Sequence, residues 1–177
     1  ELRVPGRRAF LGGVEARIQG LVEGVDEDRL GNVGAIIVNG VTINLDALTR
    51  RKGSFSVGTR VSAQAIIVEG ALVAWEIEEL DSSSDPGNDG RFVIKGEADT
   101  IGLNDQGLPE EFEFNGLDIE VDSQAVVSEV PGSSVQIQGD VREGVLLATV
   151  VEPDQDSNGR QGRIEFDLSG PVASIVN

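Results

Sequence analysis

The chain has 177 residues, a formal net charge of −17 from 14 Lys+Arg against 31 Asp+Glu, and no His, Cys, Met or Tyr. Those absences exclude haem ligation, the usual N and S ligand sets of zinc, copper and iron–sulfur sites, disulfides, and nucleophilic machinery built on His or Cys. The negative field disfavours nucleic acid and anionic membranes and suits divalent cations, and no apolar stretch approaches membrane-spanning length.

Residues 1–11 read as an N-terminal arm. It carries Leu2, Val4, Phe10 and Leu11 outside any module. The chain lacks Met and opens with no apolar run of signal-peptide length, so the expectation is a processed chain or a fragment. Residues 12–80 then predict a first β module. Val14, Ala16 and Ile18 alternate with Glu15, Arg17 and Gln19, the period of a half-buried strand. Asn39-Gly40 and Glu69-Gly70 mark hairpin turns between apolar runs. Five strands follow, at about 14–26, 33–39, 41–46, 59–68 and 71–78, with a short helical turn expected at 46–52. Residues 81–90, rich in Ser, Asp and Gly, read as a linker.

Residues 91–153 repeat the first module. Ile18–Val25 recurs as Ile94–Ile101, and Val38–Asp46 as Phe114–Asp122, both at an offset of 76. Val61, Glu69-Gly70, Leu72 and Ala74 recur as Val135, Glu143-Gly144, Leu146 and Ala148 at an offset of 74, so two residues are lost in a loop. The repeat carries the helical expectation to 123–129. An acidic linker over 154–162 leads to a terminal strand over 163–177, in which Leu168–Ile175 matches the start of each module.

Modules this short favour a closed barrel, which removes edges, over a sandwich. A central Gly recurs in strand one of every copy, as Gly20, Gly96 and Gly170, where it lets one strand bend and serve two sheets. The longest connection falls between strands three and four. The expected fold is all-β: two tandem small five-stranded OB-like β-barrels plus an orphan C-terminal strand.

The pattern resembles a bacterial extracytoplasmic domain family of unknown function, found singly and in tandem in secreted proteins and lipoproteins. The resemblance rests on Ile18–Val25, Val38–Leu45, Val57-Gly58-Thr59-Arg60-Val61 and Gly70–Ala74 and their copies, with Phe114 and Pro131-Gly132 departing from the family run. It implies an extracellular, cell-surface or periplasmic setting and supplies no catalytic residue.

Four constellations carry chemistry. Asp154, Asp156 and Asn158, with the Arg160 carbonyl and Glu165, fit the spacing of a calcium loop, in which alternate oxygens wrap a hard cation. The competing reading is an acidic, turn-rich linker, since no helix flanks it and Arg160 and Arg163 lower the local charge. Glu110, Glu111 and Glu113 could pair for acid–base work, but their alternation with Phe112 and Phe114 describes a solvated strand face. Arg7-Arg8 and Arg50-Arg51-Lys52 are the basic clusters, without the aromatic platforms that single-strand binding needs. Trp75 reads as a core or rim residue rather than a sugar platform.

The chain ends point elsewhere. Ile164, Phe166 and Leu168 alternate with charges in a strand that has no module of its own. Such a strand pairs with something: a missing third module, a neighbouring copy by strand addition, or its own second module. The expectation is a non-enzymatic structural subunit of an extracellular or cell-surface assembly, a homo-oligomer or polymer joined through its ends, with no nucleic-acid partner and no catalytic residues. The alternative is a secreted binding module for Ca2+ or a small glycan.

Overall fold

The computed structural model describes residues 14–27, 29, 31–81, 90–128 and 134–154. The first module contains β1 (Glu15–Glu27), β2 (Val33–Val38), β3 (Val41–Lys52), β4 (Arg60–Val68) and β5 (Ala71–Glu79). Alternation sets the faces: Ala16, Ile18 and Val22 are buried, while Glu15, Arg17 and Glu23 are exposed. The chain closes on itself through β1. Residues 15–21 of β1 pair with β4, and residues 22–27 pair with β2. β2 pairs antiparallel with β3, β3 parallel with β5, and β5 antiparallel with β4. The result is a closed five-stranded barrel in the order β1-β2-β3-β5-β4-β1.

Gly20 sits at the changeover between the two partners of β1. A side chain there would collide with the Asn39 side chain and stand 2.8 Å from Val38 Cγ1. The space instead admits Asn39, whose Oδ1 accepts a hydrogen bond from the Leu21 amide at 2.9 Å. The hairpin turns follow their dipeptides: Asn39 and Gly40 have φ of 48° and 82°, and Glu69 and Gly70 have 49° and 77°. Two successive positive φ values match the twist of the strands they join.

The second module contains β6 (Arg91–Glu97), β7 (Thr100–Leu103), β8 (Pro109–Phe114), β9 (Leu117–Val127), β10 (Ser134–Arg142) and β11 (Val145–Pro153). β6 and β7 together occupy the place of β1, interrupted at Ala98-Asp99. β6 pairs with β10 and β7 with β8, and the path continues through β9 and β11, with β9 and β11 parallel. Phe112 and Phe114 are fully buried, with ring centroids 6.4 Å apart.

The helical turn expected at 46–52, and repeated at 123–129, is not formed: no described residue is helical, and β3 and β9 run on to Lys52 and Val127. Residue 129 lies outside the described residues. Polar side chains take the local N–H groups instead. Asp46 Oδ1 accepts from the Leu48 amide at 2.7 Å, and Thr49 Oγ1 accepts from the Asp46 amide at 2.8 Å. Thr49 Oγ1 also donates to the buried Ala74 carbonyl at 2.7 Å. These bonds hold a bulge, after which β3 rejoins β5 at Arg50 opposite Glu76. Asp and Thr favour helix caps and such turns for the same reason, because both offer the backbone a short local acceptor.

Candidate functional site

Each module brings its strand one to the junction. β1 pairs antiparallel with β6, which merges both modules into one eleven-stranded sheet. The register sets Glu15 opposite Lys95, Ala16 opposite Ile94, Arg17 opposite Val93, Ile18 opposite Phe92 and Gln19 opposite Arg91. Under the repeat offset of 76, Arg17 and Val93 are the same position of the module. The pairing is therefore isologous, with a local two-fold axis through those two residues.

The hairpin tips obey the same symmetry. The Gly70 amide donates to the Asn115 carbonyl at 2.6 Å, and the Gly144 amide donates to the Asn39 carbonyl at 3.0 Å. Asn39 and Asn115 are equivalent, as are Gly70 and Gly144, so the two bonds are reciprocal. The approach is backbone on backbone. A Cβ at Gly40 would collide with the Gly144 amide and stand 2.9 Å from the Glu143 carbonyl carbon; one at Gly70 would stand 2.8 Å from the Gly116 oxygen. Glycine at these tips thus supplies both the positive φ and the room for the neighbouring module.

A cleft of about 260 Å³ opens at this junction, with Val41 of the first module facing Leu117 and Leu146 of the second and acidic Glu111, Asp118 and Glu120 on its wall. The β8–β9 pair sets Glu111 opposite Glu120 and Glu113 opposite Asp118, so four carboxylates share one outward face. The first module carries neutral Ala35, Ile37, Thr42 and Asn44 at the equivalent positions. No group of three or more acidic side chains converges to hold a metal ion among the described residues. Charge differs between the modules accordingly: residues 14–81 hold six Lys+Arg and eleven Asp+Glu, and residues 90–154 hold three and fourteen.

The Arg50-Arg51-Lys52 cluster is engaged within its own module. Arg50 Nη1 and Lys52 Nζ each lie 3.1 Å from a carboxylate oxygen of Glu76, which is 8% exposed, and Arg51 Nη2 donates to the Val33 carbonyl at 2.8 Å. The second module has Val126 opposite Val150 where Arg50 faces Glu76, so neutral side chains take the place of the ion pair there. Trp75 sits at the β5 bulge on the rim, 40% exposed. Glu110 and Glu111 are exposed and Glu113 half-buried, while Phe112 and Phe114 point inward, as the alternation predicts.

Of the calcium-loop residues, Asp154 is described, and its amide donates to the Ser134 carbonyl at 3.1 Å. Asp156, Asn158, Arg160 and Glu165 lie outside the described residues, as do the assembly candidates Leu2, Val4, Phe10, Leu11, Ile164, Phe166 and Leu168. The sequence reading missed the junction. Its signal was present in the two turn pairs, each repeated with a glycine.

Comparison with curated proteins and with solved structures returned no match. A family model described as a domain of unknown function (DUF5666) matches residues 19–78, a span that runs from within β1 into β5 and so covers most of the first module.

Proposed function

We propose that this is a non-enzymatic, extracytoplasmic structural protein of tandem OB-like barrels that associates by β-strand addition through its terminal segments, as a subunit of a cell-surface or extracellular assembly. The observation that carries the reading is the β1–β6 pairing. Strand one of one module already serves as the edge on which strand one of another is laid. The segment Leu168–Ile175 repeats the sequence at the start of each module, and in the proposed assembly it pairs with a strand-one edge of another copy. Ile164, Phe166 and Leu168 supply the apolar face of the terminal strand, with Leu2, Val4, Phe10 and Leu11 as the counterpart in the arm.

The test is the mass in solution by light scattering after size exclusion, in calcium and again in chelator. The wild-type chain is expected above the 18.7 kDa of a monomer. The variant carrying Ile164→Asp and Phe166→Asp is expected at that value. A wild-type monomer in both buffers, or a variant with unchanged assembly, overturns the reading. Loss of mass in chelator alone places calcium at the assembly contact.

A further inference from the structure

We propose that the outward side chains of β1 and β6 make the module junction selective for unlike modules, so that a first module pairs with a second, of this or another copy of the chain, in preference to its own kind. The backbone pairing is indifferent to which modules meet, because the strand-one edge is isologous. Selection therefore falls to the residues that face each other across it. Ala16, Ile18, Phe92 and Ile94 point into the cores, and Glu15, Arg17, Gln19, Arg91, Val93 and Lys95 point outward.

In the observed pairing Glu15 faces Lys95, Arg17 faces Val93 and Gln19 faces Arg91. It contains one opposite-charge pair and no like-charge pair. Imposing the same two-fold register on two first modules sets Arg17 opposite Arg17 on the axis and Glu15 opposite Gln19. Imposing it on two second modules sets Arg91 opposite Lys95 twice. Like charges directly opposite each other destabilise an antiparallel pair, and opposite charges stabilise it. The like combinations are thus disfavoured by repulsion and the unlike one favoured by attraction, the two components of a specific interface.

The other neighbours of these side chains do not reverse the argument. β4 sets Ile66, Gln64 and Ser62 beside Glu15, Arg17 and Gln19, and β10 sets Gln136 and Gln138 beside Lys95 and Val93. Asp140 stands beside Arg91 and tempers its charge, but Asp140 also holds Arg142 at 2.9 Å. Each mismatched pair is expected to weaken association on the order of fivefold.

The test places a protease site within residues 82–89 of the full chain, in the Ile164→Asp, Phe166→Asp background so that association through the ends cannot contribute. The chain is cut after folding, diluted and reconcentrated, and native mass spectrometry counts the three combinations by mass. The unlike pair is expected to dominate. Arg17→Val is expected to let pairs of first modules appear, since the repulsion on the axis is gone. Lys95→Glu is expected to deplete the unlike pair by setting an acid opposite Glu15, and Glu15→Lys added to it to restore that pair. Like pairs as abundant as the unlike pair in the parent, or a charge exchange that restores nothing, overturns the proposal. The terminal strand takes no part in this result, so failure of the assembly reading leaves it standing.

Discussion

Phe92 and Gly139 face each other directly across β6 and β10, and Ala16 and Ala65 face each other at the same place across β1 and β4. One module fills the space with two methyl groups and the other with a ring and a hydrogen. A Cβ at Gly139 would clash with the Leu147 carbonyl and stand 2.8 Å from Phe92 Cε1. Phe92 is 1% exposed, so Phe92→Ala should cost about 3–5 kcal/mol through lost burial and the cavity left behind. Gly139→Ala should cost about 1–3 kcal/mol by overpacking. Independent effects would place the double variant at about 4–8 kcal/mol. The packing exchange requires instead that the second methyl group occupy part of the vacated ring space. Phe92→Ala removes the contact with Cε1 but leaves the Leu147 carbonyl in place, so the double variant should lie below Phe92→Ala alone and above the additive value, with a coupling of about 0.5–3 kcal/mol. Urea denaturation followed by far-UV circular dichroism measures all four corners of the cycle. Trp75 fluorescence, from the first module, serves as an internal control that should shift less. Additivity to within about 0.5 kcal/mol would refute the reasoning.

Two further outcomes follow from the same geometry. Glu111→Lys replaces the like-charge pair with Glu120 by an opposite-charge pair, and should raise stability by about 0.5–1 kcal/mol at low salt. The gain should shrink in molar NaCl, where the screening length falls to about 3 Å; a loss of stability at low salt would contradict it. Gly31 and Gly40 have nearly the same φ, 77° and 82°, but a Cβ at Gly31 meets nothing within 4 Å while one at Gly40 meets the backbone of Glu143 and Gly144. Gly31→Ala should therefore cost about 1 kcal/mol in melting experiments and Gly40→Ala at least about 2 kcal/mol. Equal costs would remove the glycine contact from the account of the junction.

Much of this molecule is local, and local features are legible in a sequence. The alternation around Ile18 and Phe112 determined which faces point inward, because the side-chain period of a strand is two. Asn39-Gly40 and Asn115-Gly116 determined where hairpins turn, because few residues tolerate two successive positive φ values. The repeat offset determined that both modules share one order of strands. The helical expectation at 46–52 failed because Asp46 and Thr49 serve a cap and a bulge equally well, and only the position of the Ala74 carbonyl chose between them. The exchange of Ala16 and Ala65 for Phe92 and Gly139 is visible in the aligned repeats, but its meaning waits on the register that makes each pair face. The junction is the clearest case of what tertiary structure alone decided. Main-chain N–H and C=O groups are alike along both strands, so the charges of Glu15–Gln19 and Arg91–Lys95 are legible as a complementary set only once the folded modules bring those two edges within hydrogen-bonding reach and fix their register.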